Sequence, residues 1–150
     1  MYLQETKEYL EQLIGKRLDN LCLACQMMMF SFDNIAIHSQ CFTRIIQKKQ
    51  ILLTTLDYQN WDEIKSENND EWYNLSLHKD TIINNKVVQA KLTDTNDVFI
   101  WLENDIHIQI FVSNGSPHYI EDCEQWRIFD INNELLPHTV VYATTVQPEP

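Results

Sequence analysis

The chain holds two glycines in 150 residues, Gly15 and Gly115. Gly-rich phosphate loops, the dinucleotide fingerprint and the Gly-x-Ser-x-Gly elbow each need several glycines close together, so this scarcity excludes those enzyme classes. Long apolar runs are also missing. No stretch approaches the ~18–20 residues that carry a helix across a bilayer. The opening Met1–Glu8 lacks the basic-then-apolar layout of a signal peptide. The expected setting is therefore the cytoplasm, with no membrane partner. Cysteine is sparse as well: Cys22, Cys25, Cys41 and Cys123, which a cytosolic chain keeps reduced. Cys22-Leu23-Ala24-Cys25 has the spacing of half a zinc site. It lies in a strand-like stretch, however, where an odd spacing puts the two sulfurs on opposite faces. The cysteines are read instead as small buried hydrophobes, and no cofactor is expected.

Basic residues are outnumbered two to one, 11 Lys and Arg against 22 Asp and Glu, for a net charge of −11. The imbalance is uneven. Residues 1–50 hold six basic and five acidic side chains, whereas residues 51–150 hold five and seventeen. Such acidity repels phosphate backbones, so no nucleic-acid partner is expected. It speeds encounter with a basic protein, and by itself it also keeps a chain soluble.

What the chain does have is an internal echo. Met28–Asn34 is an apolar run ending on an acid and Asn, followed by Ile35-Ala36-Ile37-His38 and then Cys41-Phe42-Thr43-Arg44-Ile45. Val98–Asn104 has the same form, followed by Asp105-Ile106-His107-Ile108 and later by Cys123–Ile128. Each unit reads as strand, turn, strand, loop, strand. Residues 2–14 have the spacing of an amphipathic helix with Leu3, Leu10, Leu13 and Ile14 on one face and Thr6 between, flanked by Tyr2 and Tyr9 and stopped by Gly15. The expected fold is α+β: an N-terminal helix packed on a bent antiparallel sheet, a half-barrel, made of two similar β-meander modules. The divisions are 1–55 for the helix and first meander, 56–85 for an acidic loop with a short helix over 73–82, 86–143 for the second meander, and 144–150 for a tail, disordered over Gln147–Pro150, all in one domain.

Three chemistries compete. A cysteine hydrolase needs a thiolate beside a base. Three of the cysteines lie in or beside apolar runs, and Glu121, Asp122 and Glu124 around Cys123 disfavour its thiolate. A metal- or ligand-binding β domain needs convergent ligands. His38 and His107 follow the two module turns at similar places, but no His-x-x-x-His pair supports them, and solvated strand histidines are commoner. An interface needs anchors and charge. Residues 57–80 hold seven acids against Lys65 and Lys79, with Trp61 and Trp72 among them; Trp126 lies in a second acidic stretch. The expected partner-binding residues are Asp57, Tyr58, Trp61, Asp62, Glu63, Glu67, Asp70, Glu71 and Trp72, since aromatic anchors ringed by carboxylates suit a basic protein.

The stretches Met28–Phe32, Cys41–Ile45, Leu53–Tyr58 and Glu124–Phe129 resemble, in spacing and inferred fold, the small acidic immunity proteins of bacterial contact-dependent growth inhibition systems. That resemblance implies a non-enzymatic protein that binds and neutralises a cognate toxin domain, with a basic nuclease the partner that fits the charge. No functional residue transfers from it.

Overall fold

The computed structural model describes residues 2–149, with side chains from Gln4 onward. Its elements run α1 (Tyr2–Gln12), β1 (Leu18–Ala24), β2 (Met27–Phe32), β3 (Ile35–Ser39), β4 (Phe42–Gln47), β5 (Gln50–Thr54), α2 (Asp70–Ile82), β6 (Val87–Leu92), β7 (Val98–Leu102), β8 (Ile106–Phe111), β9 (Glu124–Asp130), β10 (His138–Tyr142) and β11 (Val146–Glu149). The chain is α+β, with an N-terminal helix and antiparallel sheets. The strands form two sheets rather than one bent half-barrel: a six-stranded sheet ordered β1-β2-β3-β9-β10-β11 and a five-stranded sheet ordered β5-β4-β8-β7-β6. Their inward side chains merge into one buried cluster that includes Phe30, Ile37, Ile45, Ile100, Ile108, Trp126 and Ile128.

The two modules exchange arms. β1–β3 form a meander in the six-stranded sheet, and the chain then crosses to supply β4 and β5 to the other. β6–β8 form the meander of the five-stranded sheet, and the chain crosses back with β9–β11. The seams are β3 on β9 and β4 on β8, with Ile37 opposite Ile128 and Ile45 opposite Ile108. The repeat extends to single bonds. The Leu18 amide donates to the Asn85 carbonyl at 3.0 Å, and Val87 donates to Lys16 at 2.8 Å. Asn84 donates to Leu18 and Gly15 to Val87; one constant shift in numbering turns the first bond of each pair into the second. Gly15 and Asn84 match in backbone too, with φ of 85° and 67°. β1 and β6 each shift register just after their first residue.

Each module turn is tied to the residues just before its own meander. Lys16 Nζ donates to Asn34 Oδ1 at 2.9 Å, and Asn104 Nδ2 donates to Asn85 Oδ1 at 2.7 Å. The helices follow the same logic, since α1 packs on β6 and β11 and α2 on β5 and β1. Each helix thus covers one edge strand of each sheet, where unpaired backbone groups would otherwise invite aggregation.

Several expectations are corrected. On α1, Leu10, Leu13 and Thr6 are buried, but Ile14 lies past the helix end and is half exposed; Tyr2 and Leu3 fall outside the described side chains. Of the cysteines only Cys41 is buried, because Cys25 sits in the β1–β2 turn and Cys123 in an exposed loop. The 144–150 tail contributes β11, whose Val140–Gln147 and Val141–Val146 pairs extend the six-stranded sheet. No helix among the described residues is long and apolar enough to cross a membrane.

Candidate functional site

Residues 56–69 carry little periodicity, yet side chains knit them into a defined shape. Asp57 opens a single 3-10 turn, accepting from the Thr54 amide at 3.0 Å and the Thr54 hydroxyl at 3.1 Å. It also accepts from Asn74 Nδ2 at 3.0 Å, which ties α2 to this turn. Asp62 accepts from the amides of Ile64 and Lys65 and from Asn68 Nδ2 at 2.6 Å. Those bonds, led by the Ile64 amide, hold its carboxyl below the usual range. Trp61 Nε1 donates to the Lys65 carbonyl at 2.7 Å, and Asn60 Nδ2 to Asp70 at 2.5 Å. Buried Asn69 then caps α2, accepting from the Glu71 amide at 3.0 Å.

This knitting separates the expected site residues into two groups. Asp57, Asp62 and Asp70 hold the loop in shape. Glu63 and Glu67 are exposed, Glu67 within 3.9 Å of Lys65. Tyr58 and Glu71 are half-buried, and burial, then the nearby Asp57 charge, raises the Glu71 carboxyl. Trp61 is 40% and Trp72 53% exposed. Two further residues belong to this surface. Tyr73 and Leu77, both 57% exposed, lie one turn apart on α2, and exposed Asp80 continues the row at the next turn. The helix expected over 73–82 starts earlier, at Asp70, and turns Leu75 and Ile82 to the core while Leu77 faces outward. Ser66, Glu67, Trp72, Tyr73 and Ser76 line a concavity of about 530 Å³. Trp126, read as a second interface aromatic, is fully buried and donates through Nε1 to the Asn96 carbonyl at 2.9 Å.

The histidines expected at matching positions do not match. β2–β3 closes on a two-residue turn, since Phe32 pairs with Ile35, whereas β7–β8 has three residues between strands. The extra residue makes Gln109 the counterpart of His38. Arg127 stands opposite His38 across one seam as Arg44 stands opposite Gln109 across the other. His38 and His107 therefore lie in different sheets. On the six-stranded sheet, His138 stacks on Phe129 at 4.0 Å and His38 meets the same ring edge-on at 5.0 Å. Arg127 bonds Glu124 and reaches His138 Nδ1 at 3.0 Å. Burial, then the Arg127 charge, lowers the pKa of both histidines.

Among the described residues, no three or more His, Cys, Asp and Glu side chains gather to hold a metal ion. Burial pushes the Cys41 thiol up to about 11, so little of it is thiolate at neutral pH. Comparison with family models, curated proteins and solved structures finds no match.

Proposed function

We propose that this chain is a non-enzymatic immunity protein that acts in the cytoplasm, binding a cognate toxin domain, a basic nuclease, and blocking its active site. The observation that carries this reading is the row Tyr73, Leu77 and Asp80 on α2, standing exposed beside Trp72 and Glu67. Such a surface has the parts of a hot spot: aromatic anchors at the centre and carboxylates at the rim. Hydrogen bonds accepted by Asp57, Asp62, Asn69 and Asp70 already order the segment, so little conformational entropy is lost on docking. The carboxylates then occupy the positions that phosphates take against the lysines and arginines of a nuclease. A stable complex of this kind buries about 1,200–2,000 Å².

The test is titration calorimetry with a toxin domain encoded beside this gene. One-to-one binding is expected, and Trp72→Ala with Tyr73→Ala should weaken it a hundredfold or more. Glu63→Lys with Glu67→Lys should mainly slow association and flatten its salt dependence. Asp62 and Asp70 are poor choices for charge reversal, because they hold the loop. Unchanged affinity in both double variants would remove this surface from the interface.

A further inference from the structure

The five strands β4 to β8 contain no Asp and no Glu, in a chain carrying 22 of them. Their outward face is aromatic and basic. Phe42 stacks on Phe111 at 5.9 Å, and Phe111 meets Phe99 edge-on at 5.6 Å. Phe99 meets Trp101, and Trp101 lies parallel to the His107 ring at 4.6 Å. Arg44 lies over Phe111 at 5.7 Å and donates to Gln109 at 2.6 Å. All are only half-buried, and both helices pack on the edge strands instead. At one end the face opens into a groove of about 850 Å³ between exposed Lys48 and Lys49 on one side and Trp101 and His107 on the other. His107 Nε2 is enclosed there without a hydrogen-bond partner among the described residues, a condition that native proteins seldom leave unexplained.

We propose that this face binds a nucleotide, its base stacked along the Trp101 side of the aromatic row and its phosphate held by Lys48 and Lys49. Aromatic rings on an open sheet stack bases, and adjacent cations take the backbone. Glu103 and Asp105 stand on the β7–β8 turn at the same end, with Glu103 Oε1 holding the Lys86 amide at 2.7 Å. The Lys48 amide donates to the Asp105 carbonyl at 3.2 Å, so acids and lysines adjoin at this end; the sugar hydroxyls, which donate hydrogen bonds, suit the carboxylates, and the phosphate suits the lysines.

A second copy of the chain fits less well. Five strands at ~4.8 Å and six residues at ~3.3 Å span roughly 500 Å², short of the ~800 Å² per partner of a stable interface. The net negative charge slows encounter. It does not decide contact, because screening at about 8 Å leaves the local groups in control.

The experiment follows backbone amide and indole resonances of the full chain during titration with AMP, with hexa-adenylate RNA, and with adenosine and inorganic phosphate separately. AMP should shift the Trp101 indole and the Lys48, Lys49 and Gln109 amides while the Trp72 indole stays still. Adenosine and phosphate should each bind at least tenfold more weakly than AMP. Trp101→Ala and, separately, Lys48→Glu with Lys49→Glu should each cost about tenfold in affinity. The two lysines sit in an exposed turn, so their variant keeps the test open if Trp101→Ala disturbs the fold. Hexa-adenylate binding tenfold tighter than AMP marks a strand laid across the face; equal affinity marks a single-nucleotide groove. The proposal falls if neither ligand moves the Trp101 indole at millimolar concentration, or if both variants bind as the parent does. It falls equally if the same resonances move on concentrating the protein alone, which would assign the face to a second copy. Trp72→Ala should leave AMP binding unchanged, so this result stands apart from the toxin titration.

Discussion

At the scale of single residues, the backbone carries strain that the sequence does not advertise. The β1–β2 turn is Cys25-Gln26, both with positive φ, 52° and 65°, and Ala24 pairs directly with Met27. A two-residue turn with both centres left-handed favours Asn-Gly. Replacing Cys25-Gln26 by Asn-Gly should therefore stabilise the chain by about 0.5–1 kcal/mol, read as a higher urea midpoint with unchanged slope. A lower midpoint would mean that Cys25 or Gln26 makes a contact worth more than the strain. The half-buried histidines of the six-stranded sheet supply a pH dependence. His38 and His138 both have folded pKa values below the ordinary 6.5, so the unfolded chain binds more protons in that range. Their contribution is complete above about pH 6.5 and is lost as the pH falls through that value toward the folded pKa values. Urea midpoints should drop between pH 7.5 and 5.5, and His38→Gln should shrink the drop. Parallel curves for parent and variant would assign the effect to other groups.

At the scale of elements, α2 is the piece that joins fold to proposed function. Its N-terminus depends on Asn69, whose side chain accepts from the Glu71 amide, and on Asp57, which reaches Asn74. Asn69→Ala should cost about 1 kcal/mol. Asp57→Ala should cost about 1–2 kcal/mol, because three donors lose their acceptor. Trp72→Ala, at an exposed position, should stay within about 0.5 kcal/mol. Thermal unfolding of the three variants separates the roles. A large loss at Trp72 would make it a packing residue and weaken its case as an anchor.

At the scale of the whole molecule, the exchanged modules make each half depend on the other. The seams β3–β9 and β4–β8 run between halves, as do the Leu18–Asn85 and Val87–Lys16 bonds. A fragment ending at Glu63 keeps β4 and β5 with no meander to pair with, and the remainder keeps β9 to β11 in the same state. Each fragment alone should lack cooperative unfolding by circular dichroism, and mixing them should restore it. A folded isolated half would show that the crossing arms can pair within their own module.

Local chemistry was enough to place the strands of the two meanders, though not β11, which lies where a disordered tail was expected. Alternating apolar runs and Asp33-Asn34, read from the chain alone, locate β2, β3, β7 and β8, and the resemblance of the two units was visible in their Asn-ended turns. What local chemistry did not reach was partner choice. Nothing in β4 or β9 says that it crosses to the other sheet, because its alternating face fits either one; only the shared core and the seams decide that. The same limit governs the site. Acids and aromatics in 57–73 were legible as a group, yet hydrogen-bond geometry alone separates Asp62, which holds the loop, from Glu67, which faces outward. The carboxylate-free face was equally hidden, since its members come from strands scattered between residues 42 and 111 and meet only when the two modules interlock. Sequence therefore determined which residues are extended and which ends of the chain are acidic. The tertiary pairing determined which of them share a surface.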